Sequence, residues 1–505
     1  MRSSLIIFII SISNLFIASA QESLPLHYSK LLSSKQIQKD IEFLSSDEME
    51  GRDTGSKGQK LAAHYIYKQF VNANLINPTG TEDSLGFFQQ FSVYQQQLPI
   101  AKIKTEKQEL INYKNILISG YKNYSNSNME LVFLGTAPDS SYTNKDYSNK
   151  AVLFLSSNLY AAALKSNKIS MATKAKLILF CNPNQPKQYK NLLAKKRKLF
   201  TRRIIMDKEI SKYNPFDSIS STLSFIQYKN RLQSYHGAIS NAAASAILQI
   251  KTKRLKQILF EKSIKPTENN IRNFAFNFEL KFKKINTENV LAFLPGTDKK
   301  EEIVIVSAHY DHIGKTANEI YNGANDNASG CAAMIELARK FKQASDEKHK
   351  TKRSILFAAF TGEEKGMFGS KYFVENSPFS QSKFVGNLNI DMLGRSDELH
   401  DTTDYIYLLG TNHLRPKLKW ISDSINKISP KLQLDYKYDQ ADNYLYQASD
   451  QVSFVQKGIP AIFYFNGLHK DYHQPGDTAD KIDYEAIKKV SELIFLTTWE
   501  LANEN

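Results

Sequence analysis

The chain has 505 residues, of which 42% are hydrophobic and 23% are charged. These fractions are ordinary for a soluble globular protein, and the length allows a large core and predicts two domains. The formal net charge is +15, with basic residues crowded between positions 194 and 203. We interpret this segment as a solvated basic face, and we exclude nucleic acid as a partner because the protein is predicted to be exported.

The first twenty residues have the pattern of a secretory signal. Arg2 precedes an apolar run over residues 5–18, and small residues at 18–20 form the expected cleavage site. The run is short and is interrupted by Ser and Asn, which argues against a membrane anchor. We therefore predict that residues 1–20 are a signal peptide, that the mature protein is periplasmic or extracellular, and that it has no stable membrane insertion after cleavage.

Two helical segments follow the predicted signal. Apolar residues recur at helical spacing over 33–43 and 58–70, and a turn-rich link at 50–55 separates the two segments. Residues 87–94 have the pattern of a strand. We assign residues 21–109 to the N-terminal part of a domain that is completed later in the chain.

The middle of the chain, residues 110–275, differs in composition and in pattern. It is rich in Lys, Asn and Ser and has no cluster of acidic residues with His. Short strands are predicted at 130–134, 151–155, 177–181 and 245–250. We interpret this region as a separate, inserted domain that is β-rich or mixed.

Strands and helices alternate in the last part of the chain, residues 276–505. The predicted strands are nearly all apolar, as expected for a parallel sheet that is covered on both faces. Strands are predicted at 303–306, 354–360, 385–390, 405–409 and 459–465. Helices are predicted near 329–343, 414–428 and 482–500. This alternation predicts an α/β/α sandwich with a mostly parallel central sheet.

Side chains that can bind metal come shortly after these apolar strands, and Asp326 lies in a Gly-bounded loop before the helical stretch at 329–343. Ligands of open α/β sheets bind at the carboxyl ends of the strands, so one sheet edge is expected to gather these side chains around one or two metal ions. They are His309, Asp311, His312, Asp326, Glu363, Glu364, Asp391 and His473.

Imidazole and carboxylate ligands suit zinc. Two zinc ions about 3.5–4 Å apart act together on one water and one substrate oxygen. A bridging carboxylate is needed to hold two such charges close to each other. Asp326 is the best candidate for the bridge, because it lies in a loop of small, turn-prone residues, 323–330, that lets the backbone approach the metals.

The other candidates follow from local patterns. Adjacent residues in extended structure point in opposite directions, so one of Glu363 and Glu364 can bind metal while the other faces the bound water as a general base. Asp391 ends an apolar strand and needs a cation or hydrogen bonds there. Asp311 is either an orienting partner of the His309 ring or a simple strand-end acid. We interpret His312 as a hydrogen-bonding core residue rather than a third ligand.

Five segments, in this order, resemble the co-catalytic di-zinc exopeptidase family that includes bacterial leucyl aminopeptidase and glutamate carboxypeptidase. They are SAHYDHIG, NGANDNASG, FTGEEKGMFGS, NIDMLGR and YHQPGDT. The N-terminal segment LSSDEMEGRDTGSKGQKLAAHYIYKQF also resembles that family's opening helices. The middle of the chain resembles a protease-associated domain inserted into the peptidase domain.

The resemblance implies a set of ligands for two Zn²⁺ ions. His309 and Asp391 resemble ligands of one ion, and Glu364 and His473 resemble ligands of the other. Asp326 matches the bridging carboxylate. The resemblance also implies three supporting roles: Glu363 as the general base, Asp311 as the orienting partner of His309, and Tyr446 as an oxyanion stabiliser.

The function that the resemblance implies is that of an exported zinc-dependent aminopeptidase. Such an enzyme hydrolyses N-terminal residues from peptides or proteins through a metal-bridging hydroxide, with Glu363 as the general base. Three alternatives stay open: a carboxypeptidase or dipeptidase of the same family, a relative of glutaminyl cyclase, and a non-catalytic binding module. The complete set of metal ligands argues against the last two.

Overall fold

The structure is a computed structural model, and it describes residues 23–79, 83–137, 142–200, 204–206, 234–262, 272–440 and 442–505. The predicted signal peptide lies outside the described residues. Within these ranges, no helix combines the length and hydropathy that crossing a bilayer requires. The chain divides into two compact units, a discontinuous unit (residues 1–89 and 288–505) and an inserted unit (residues 90–287).

The unit boundaries fall near, but not at, the domain boundaries expected from the sequence. The chain changes unit after residues 89 and 287, whereas the composition places the changes after 109 and 275. The assignment of the inserted unit to a protease-associated-like domain stays a prediction.

The strands and helices are numbered in chain order. The strands are β1 (Phe88–Gln96), β2 (Ile100–Lys104), β3 (Glu109–Ile111), β4 (Ile116–Ser119), β5 (Tyr124–Phe133), β6 (Ala151–Leu155), β7 (Leu177–Cys181), β8 (Ile204–Met206), β9 (Tyr235–Ile239), β10 (Arg272–Glu279), β11 (Phe282–Leu294), β12 (Lys299–His309), β13 (Gly314–Lys315), β14 (Ile320–Tyr321), β15 (Arg353–Phe360), β16 (Phe384–Ile390), β17 (Tyr405–Leu409), β18 (Gln433–Asp435) and β19 (Ala461–Phe465). The helices are α1 (Leu24–Lys30), α2 (Ser34–Leu44), α3 (Lys57–Asn72), α4 (Leu159–Thr173), α5 (Pro186–Phe200), α6 (Asn241–Leu248), α7 (Thr252–Glu261), α8 (Gly330–Asp346), α9 (Phe368–Asn376), α10 (Lys417–Ile428), α11 (Gln451–Val455) and α12 (Tyr484–Asn503).

The discontinuous unit is built on a mostly parallel sheet. Its strands lie in the order β18-β17-β19-β16-β12-β15-β11. The neighbours β12–β15, β12–β16, β16–β19 and β17–β18 are parallel, whereas β11–β15 and β17–β19 are antiparallel. The predicted α/β fold with a mostly parallel central sheet is therefore confirmed.

Side chains alternate between the two faces of this sheet, and both faces are covered by helices. In β12, Val304 and Val306 belong to the core that includes α8 and α12, whereas Ile303 and Ile305 belong to the core that includes α9 and α11. A strand buried on both sides has to be apolar at every position, which explains the continuous hydrophobic runs in the sequence.

The N-terminal helices complete the face that carries α8 and α12. Ile37 and Ile41 of α2 and Ile66 and Phe70 of α3 lie in the same core as those helices. The side chain of Ser33 accepts a hydrogen bond from the Gln36 N–H at 3.2 Å and so caps the start of α2. Residues more than 200 positions away in sequence therefore belong to the layer that supports the sheet.

The inserted unit is a mixed α/β structure with its own core. Its eight-stranded sheet has the order β3-β2-β10-β5-β6-β7-β9-β4. One core includes α6 and α7, and a second core includes α4. The strand predicted at 245–250 is wrong: these residues lie at the end of α6 and just after it. The apolar run is short enough for either structure, and the Ala-rich segment after the Ser240 cap favours the helix.

Parallel pairing brings the carboxyl ends of three strands of the discontinuous unit together. β12 ends at His309, β16 ends one residue before Asp391, and β15 ends three residues before Glu363. Both β15 and β16 pair with β12 in parallel. The fold therefore places these side chains at one edge of the sheet, as the sequence predicts.

Candidate metal centre

The first group of donor atoms lies at the ends of β12 and β16. The Nε2 atom of His309 is 3.5 Å from Oδ1 of Asp326 and 3.3 Å from Oδ1 of Asp391. All three residues are buried. We call this group the first position.

The second group lies on the other side of the Asp326 carboxylate. The Nε2 atom of His473 is 3.2 Å from Oδ2 of Asp326 and 3.2 Å from Oε2 of Glu364. We call this group the second position. Because Oδ1 of Asp326 faces the first position and Oδ2 faces the second, this one carboxylate is shared, as a bridge between two ions requires.

The donor spacings fit zinc. Donors held about 2.0–2.1 Å from one tetrahedral ion lie about 3.3 Å from each other. The four distances at the two positions range from 3.2 to 3.5 Å. Oδ1 of Asp391 and Oε1 of Glu364 are also buried without a hydrogen-bond partner among the described residues. Buried carboxylate oxygens that have no hydrogen-bond partner, and that lie at these distances from imidazoles, fit the ligands of a metal ion.

The negative charge of the buried carboxylates also favours the binding of cations at this site. Asp326, Glu364 and Asp391 form ion pairs with histidines alone within the described part of the chain. Buried carboxylates without a Lys or Arg partner are costly unless a cation compensates them. The five predicted ligands are thus brought together, and their roles as zinc ligands stay predictions.

Glu363 lies beside both positions and belongs to neither. Burial, together with the neighbouring Glu364, raises the pKa of Glu363 well above its ordinary value, although His309 opposes the rise. Glu364 behaves in the opposite way: burial opposes its ionisation, but the contacts with His312 and His473 hold its pKa well below the ordinary value. The two adjacent glutamates therefore differ in proton affinity, which suits one for proton transfer and the other for binding metal.

Asp311 joins His309 to Glu363. Its Oδ1 atom accepts the backbone N–H of Glu363 at 3.1 Å, and its Oδ2 atom accepts the hydroxyl of Thr54 at 2.8 Å. The Nδ1 atom of His309 is 3.2 Å from the backbone carbonyl of Asp311 and 3.9 Å from its carboxylate. The His309 ring thus contacts the backbone carbonyl of Asp311, whereas the Asp311 carboxylate holds the backbone of Glu363. The role of the Asp311 side chain as the orienting partner of His309 stays a prediction.

The loop that carries Asp326 is held by two residues that the sequence analysis did not single out. Asp477 accepts the backbone N–H groups of Asn325 at 2.9 Å and of Asp326 at 3.0 Å. Buried Arg52 donates to the carbonyl of Gly323 at 2.8 Å and to that of Tyr310 at 2.9 Å. Both residues lie in segments with recognisable motifs, YHQPGDT and the turn-rich link at 50–55, which is the available sequence signal for them.

Of the two tyrosines Tyr446 and Tyr472, only Tyr472 contacts a predicted metal ligand and has a pKa that the carboxylates of the two positions raise. The ring of Tyr472 stacks on His473 with centroids 3.8 Å apart. Burial first, and then Asp326 and Glu364, raise the pKa of Tyr472. For Tyr446, burial and then Asp439 raise the pKa to about 12, and the metal-site carboxylates do not contribute. The role of Tyr446 stays a prediction, and Tyr472 is the tyrosine that the sequence analysis missed.

The His312 side chain is buried, and its Nδ1 atom lies 2.8 Å from Oε1 of Glu364 and 3.7 Å from Oδ2 of Asp326. The contact with Glu364 helps to hold the pKa of Glu364 below its ordinary value. The ring nitrogen and the two carboxylates are also close enough to one another to hold a metal ion. The interpretation of His312 as a hydrogen-bonding core residue stays a prediction.

The segment that carries this centre is similar to known proteins. The sequence model of Peptidase family M28 matches residues 289–498. A probable zinc metalloprotease of Pyrenophora tritici-repentis is 26% identical over 262 residues, which cover 43% of this chain and 52% of that protein. Aminopeptidase YwaD of Bacillus subtilis is 28% identical over 228 residues, covering 43% of this chain and 46% of that protein. The chain thus spans about half the length of these curated relatives.

A solved structure has a similar fold over a longer part of the chain. The aminopeptidase from Aneurinibacillus sp. strain AM-1 superposes with a TM-score of 0.51 at 18% sequence identity, covering 95% of this chain and 97% of that one. At this identity the likeness concerns the fold alone.

Proposed function

Residues 289–498 of this chain belong to peptidase family M28, and from that premise we propose that the protein is a zinc-dependent aminopeptidase that removes N-terminal residues from peptides. One observation carries the proposal. Five donor side chains form two groups that share Asp326, and a glutamate of raised pKa lies next to both groups.

Two zinc ions bound at these positions would polarise a substrate carbonyl and lower the pKa of a water molecule. Glu363 takes the proton of the attacking water, because its carboxylate lies beside both positions and belongs to neither. It then delivers the proton to the amine of the departing peptide. Asp311 keeps Glu363 in place for both transfers through the Glu363 backbone N–H.

We propose that Tyr472 donates a hydrogen bond to the oxygen of the carbonyl under attack. The negative charge that develops on this oxygen needs a donor that is already in place. The stack on His473 fixes the ring of Tyr472, and a tyrosine hydroxyl carries its proton at neutral pH. Replacing Tyr472 with Phe should lower kcat more than the same change at Tyr446, and equal effects would leave the role with either residue.

Cleavage of matched reporter substrates tests the aminopeptidase assignment. Amino-acyl amides with a free N-terminus should be cleaved, whereas the same compounds with an acetylated N-terminus should not. A chelator should abolish the activity and added zinc should restore it. Exclusive cleavage of substrates that report on a free C-terminus would replace the proposal with the carboxypeptidase or dipeptidase alternative.

The glutaminyl cyclase alternative predicts a different product. Peptides that begin with Gln would gain a pyroglutamyl ring and lose ammonia, with no shortening of the chain. Mass spectrometry of such peptides after incubation separates this loss of ammonia from the loss of a residue. We expect the loss of a residue, because the structure brings together five donors for two ions.

We further propose that the protein acts after export. The support is the signal-like pattern of residues 1–20, which are outside the described residues. The intact mass of the protein recovered from the periplasm or the culture medium should correspond to a chain that begins near Gln21. Recovery of the uncleaved chain in the cytoplasm would contradict this proposal.

A further inference from the structure

His312 lies at the second position, although from the sequence we interpret it as a core residue rather than a third ligand. It follows the end of β12 by three residues, and its side chain is completely buried. Its Nδ1 atom is 2.8 Å from Oε1 of Glu364 and 3.7 Å from Oδ2 of Asp326. These are the same two carboxylates that His473 approaches from another side.

The contact between His312 and Glu364 is short and lowers the pKa of Glu364, but the two groups are not aligned for a hydrogen bond. Nδ1 of His312 and Oε1 of Glu364 are both buried, and neither has a hydrogen-bond partner among the described residues, although they are adjacent. Two unpaired polar atoms in contact inside a protein cost free energy, because each has lost its water. A cation that accepts a lone pair from both atoms removes this cost.

The two imidazoles at the second position have the relation expected of ligands to one ion. Their ring centroids are 5.8 Å apart, with an angle of 71° between the ring planes. Two imidazoles that each bind one ion at about 2.0–2.1 Å have centroids about 5–6 Å apart. His312 therefore lies at the second position, with Nδ1 within 3.7 Å of both carboxylates and its ring at the expected distance from the His473 ring.

The surrounding backbone forms a slot for the His312 ring. A Cβ atom at Gly323 would lie 2.6 Å from the ring atoms Cγ and Cδ2, and the φ angle of Gly323 is +59°, so a larger residue is excluded there. The backbone N–H of His312 donates to the carbonyl of Arg52 at 3.2 Å. Packing and a backbone hydrogen bond, rather than a partner behind the ring, fix the orientation of His312.

We propose that His312 is a nitrogen ligand of the second metal position, together with Asp326, Glu364 and His473. The inference rests on the proposed function, since it assumes that zinc occupies the two positions. It gives the second position four protein donors, two imidazoles and two carboxylates, whereas the first position has three. The second ion is therefore held by a more complete protein shell, and the first ion keeps more of its coordination for water and substrate.

Zinc titration of the full-length, metal-depleted protein tests the proposal. Competition with a coloured chelator gives both the number of ions and their separate affinities. We expect two ions in the wild type. His312→Leu should weaken the second ion by more than the roughly 10–100-fold that the loss of an orienting partner costs, and should leave the first ion unchanged. His349→Asn, which changes an exposed histidine of the same unit, is the control.

His312→Asn separates a ligand from an orienting residue. Its amide nitrogen can occupy the place of Nδ1 and donate a hydrogen bond to Glu364, but an amide is a poor zinc ligand. The proposal requires Asn to weaken the second ion as much as Leu does. Restored affinity in His312→Asn would overturn the proposal, and so would wild-type affinity in His312→Leu. Fewer than two ions in the wild type would instead overturn the proposed function.

X-ray absorption on the wild-type protein tests the same point without a variant that could misfold. The scattering from imidazole rings counts histidine ligands per zinc. Three histidines shared by two ions give 1.5 imidazoles per zinc, and this is the expected result. A value of 1.0, with two ions bound, would show that only His309 and His473 bind metal and would overturn the role of His312.

Discussion

The two metal positions share one carboxylate and are built in different ways. The first position takes His309 and Asp391 from the ends of two hydrogen-bonded, parallel strands. The second takes Glu364 and His473 from loops, and His473 has a φ angle of +56° and a side chain that is 36% exposed. His309, by contrast, is 1% exposed. The sheet thus prepares the first position, whereas the second depends on how the loops are held.

This difference explains the residues that surround the second position. Asp477 fastens the backbone of Asp326, and it lies in the same loop as His473. Arg52 fastens the start of the Asp326 loop at Gly323. The loops that build the second position are therefore held by buried charged side chains, where the first position uses strand pairing.

The largest loss of activity is expected from a change at Glu363, which we propose acts as the general base without binding metal. Glu363→Gln removes the proton acceptor and keeps the size of the side chain. It should lower kcat about 10²–10⁴-fold while two zinc ions stay bound. Activity and zinc content measured on the same sample give the result. A fully active variant would refute the general-base role, and loss of zinc would make Glu363 a ligand.

Removing one ligand from each position compares the positions directly. Asp391→Asn leaves the first position with His309 and Asp326, and we expect a protein that binds one zinc ion per chain. His473→Asn leaves the second position with Asp326, Glu364 and His312, and we expect a weakened second ion that returns at high zinc concentration. Zinc content after dialysis at two zinc concentrations tells the variants apart. Equal losses of zinc from the two variants would mean that the two positions have equally complete sets of protein ligands.

A smaller effect is expected at Asp477, which holds the Asp326 backbone. Asp477→Asn weakens two hydrogen bonds to backbone N–H groups without touching a ligand. Zinc affinity should fall roughly 10–100-fold, as for other residues that orient a ligand. Asp480→Asn, an exposed change three residues away, is the matched control and should bind zinc like the wild type. Unchanged zinc affinity in Asp477→Asn would mean that the loop carrying Asp326 keeps its conformation without the hydrogen bonds to Asp477.

The smallest effect concerns access to the histidines. In the metal-depleted protein, a reagent that modifies imidazole should react with His473 well before it reacts with buried His309. Zinc should protect His473. Peptide mapping by mass spectrometry after short exposures gives the order of modification. Equal rates at the two histidines would contradict the difference in burial between the two positions.

The sequence predicted the first position better than the second, for a physical reason. Strands buried on both faces are continuous apolar runs, and the prediction at 385–390 differs by one residue from β16, which ends just before Asp391. A polar residue after such a run, such as Asp391, is conspicuous. Ligands in loops, such as Glu364 and His473, have no periodic pattern around them and were assigned from family motifs.

Other features of the site depend on contacts between distant segments and carry no local signal. The pairing of Asp477 with the Asp326 backbone joins residues about 150 positions apart. The sequence shows that His312 follows an apolar strand, but it does not show that Glu364 and His473 lie beside it. The helix at the predicted strand 245–250 shows the same limit, since a short apolar run does not decide between the two structures.

We propose that Asp326 lies between two zinc ions, and anomalous X-ray diffraction at the zinc edge would show directly where these ions are bound. We expect two anomalous peaks about 3.5–4 Å apart. One should lie beside Oδ1 of Asp326 with His309 and Asp391, and the other beside Oδ2 with Glu364 and His473. A single peak, or two peaks that do not both lie beside Asp326, would show that Asp326 does not bridge two zinc ions.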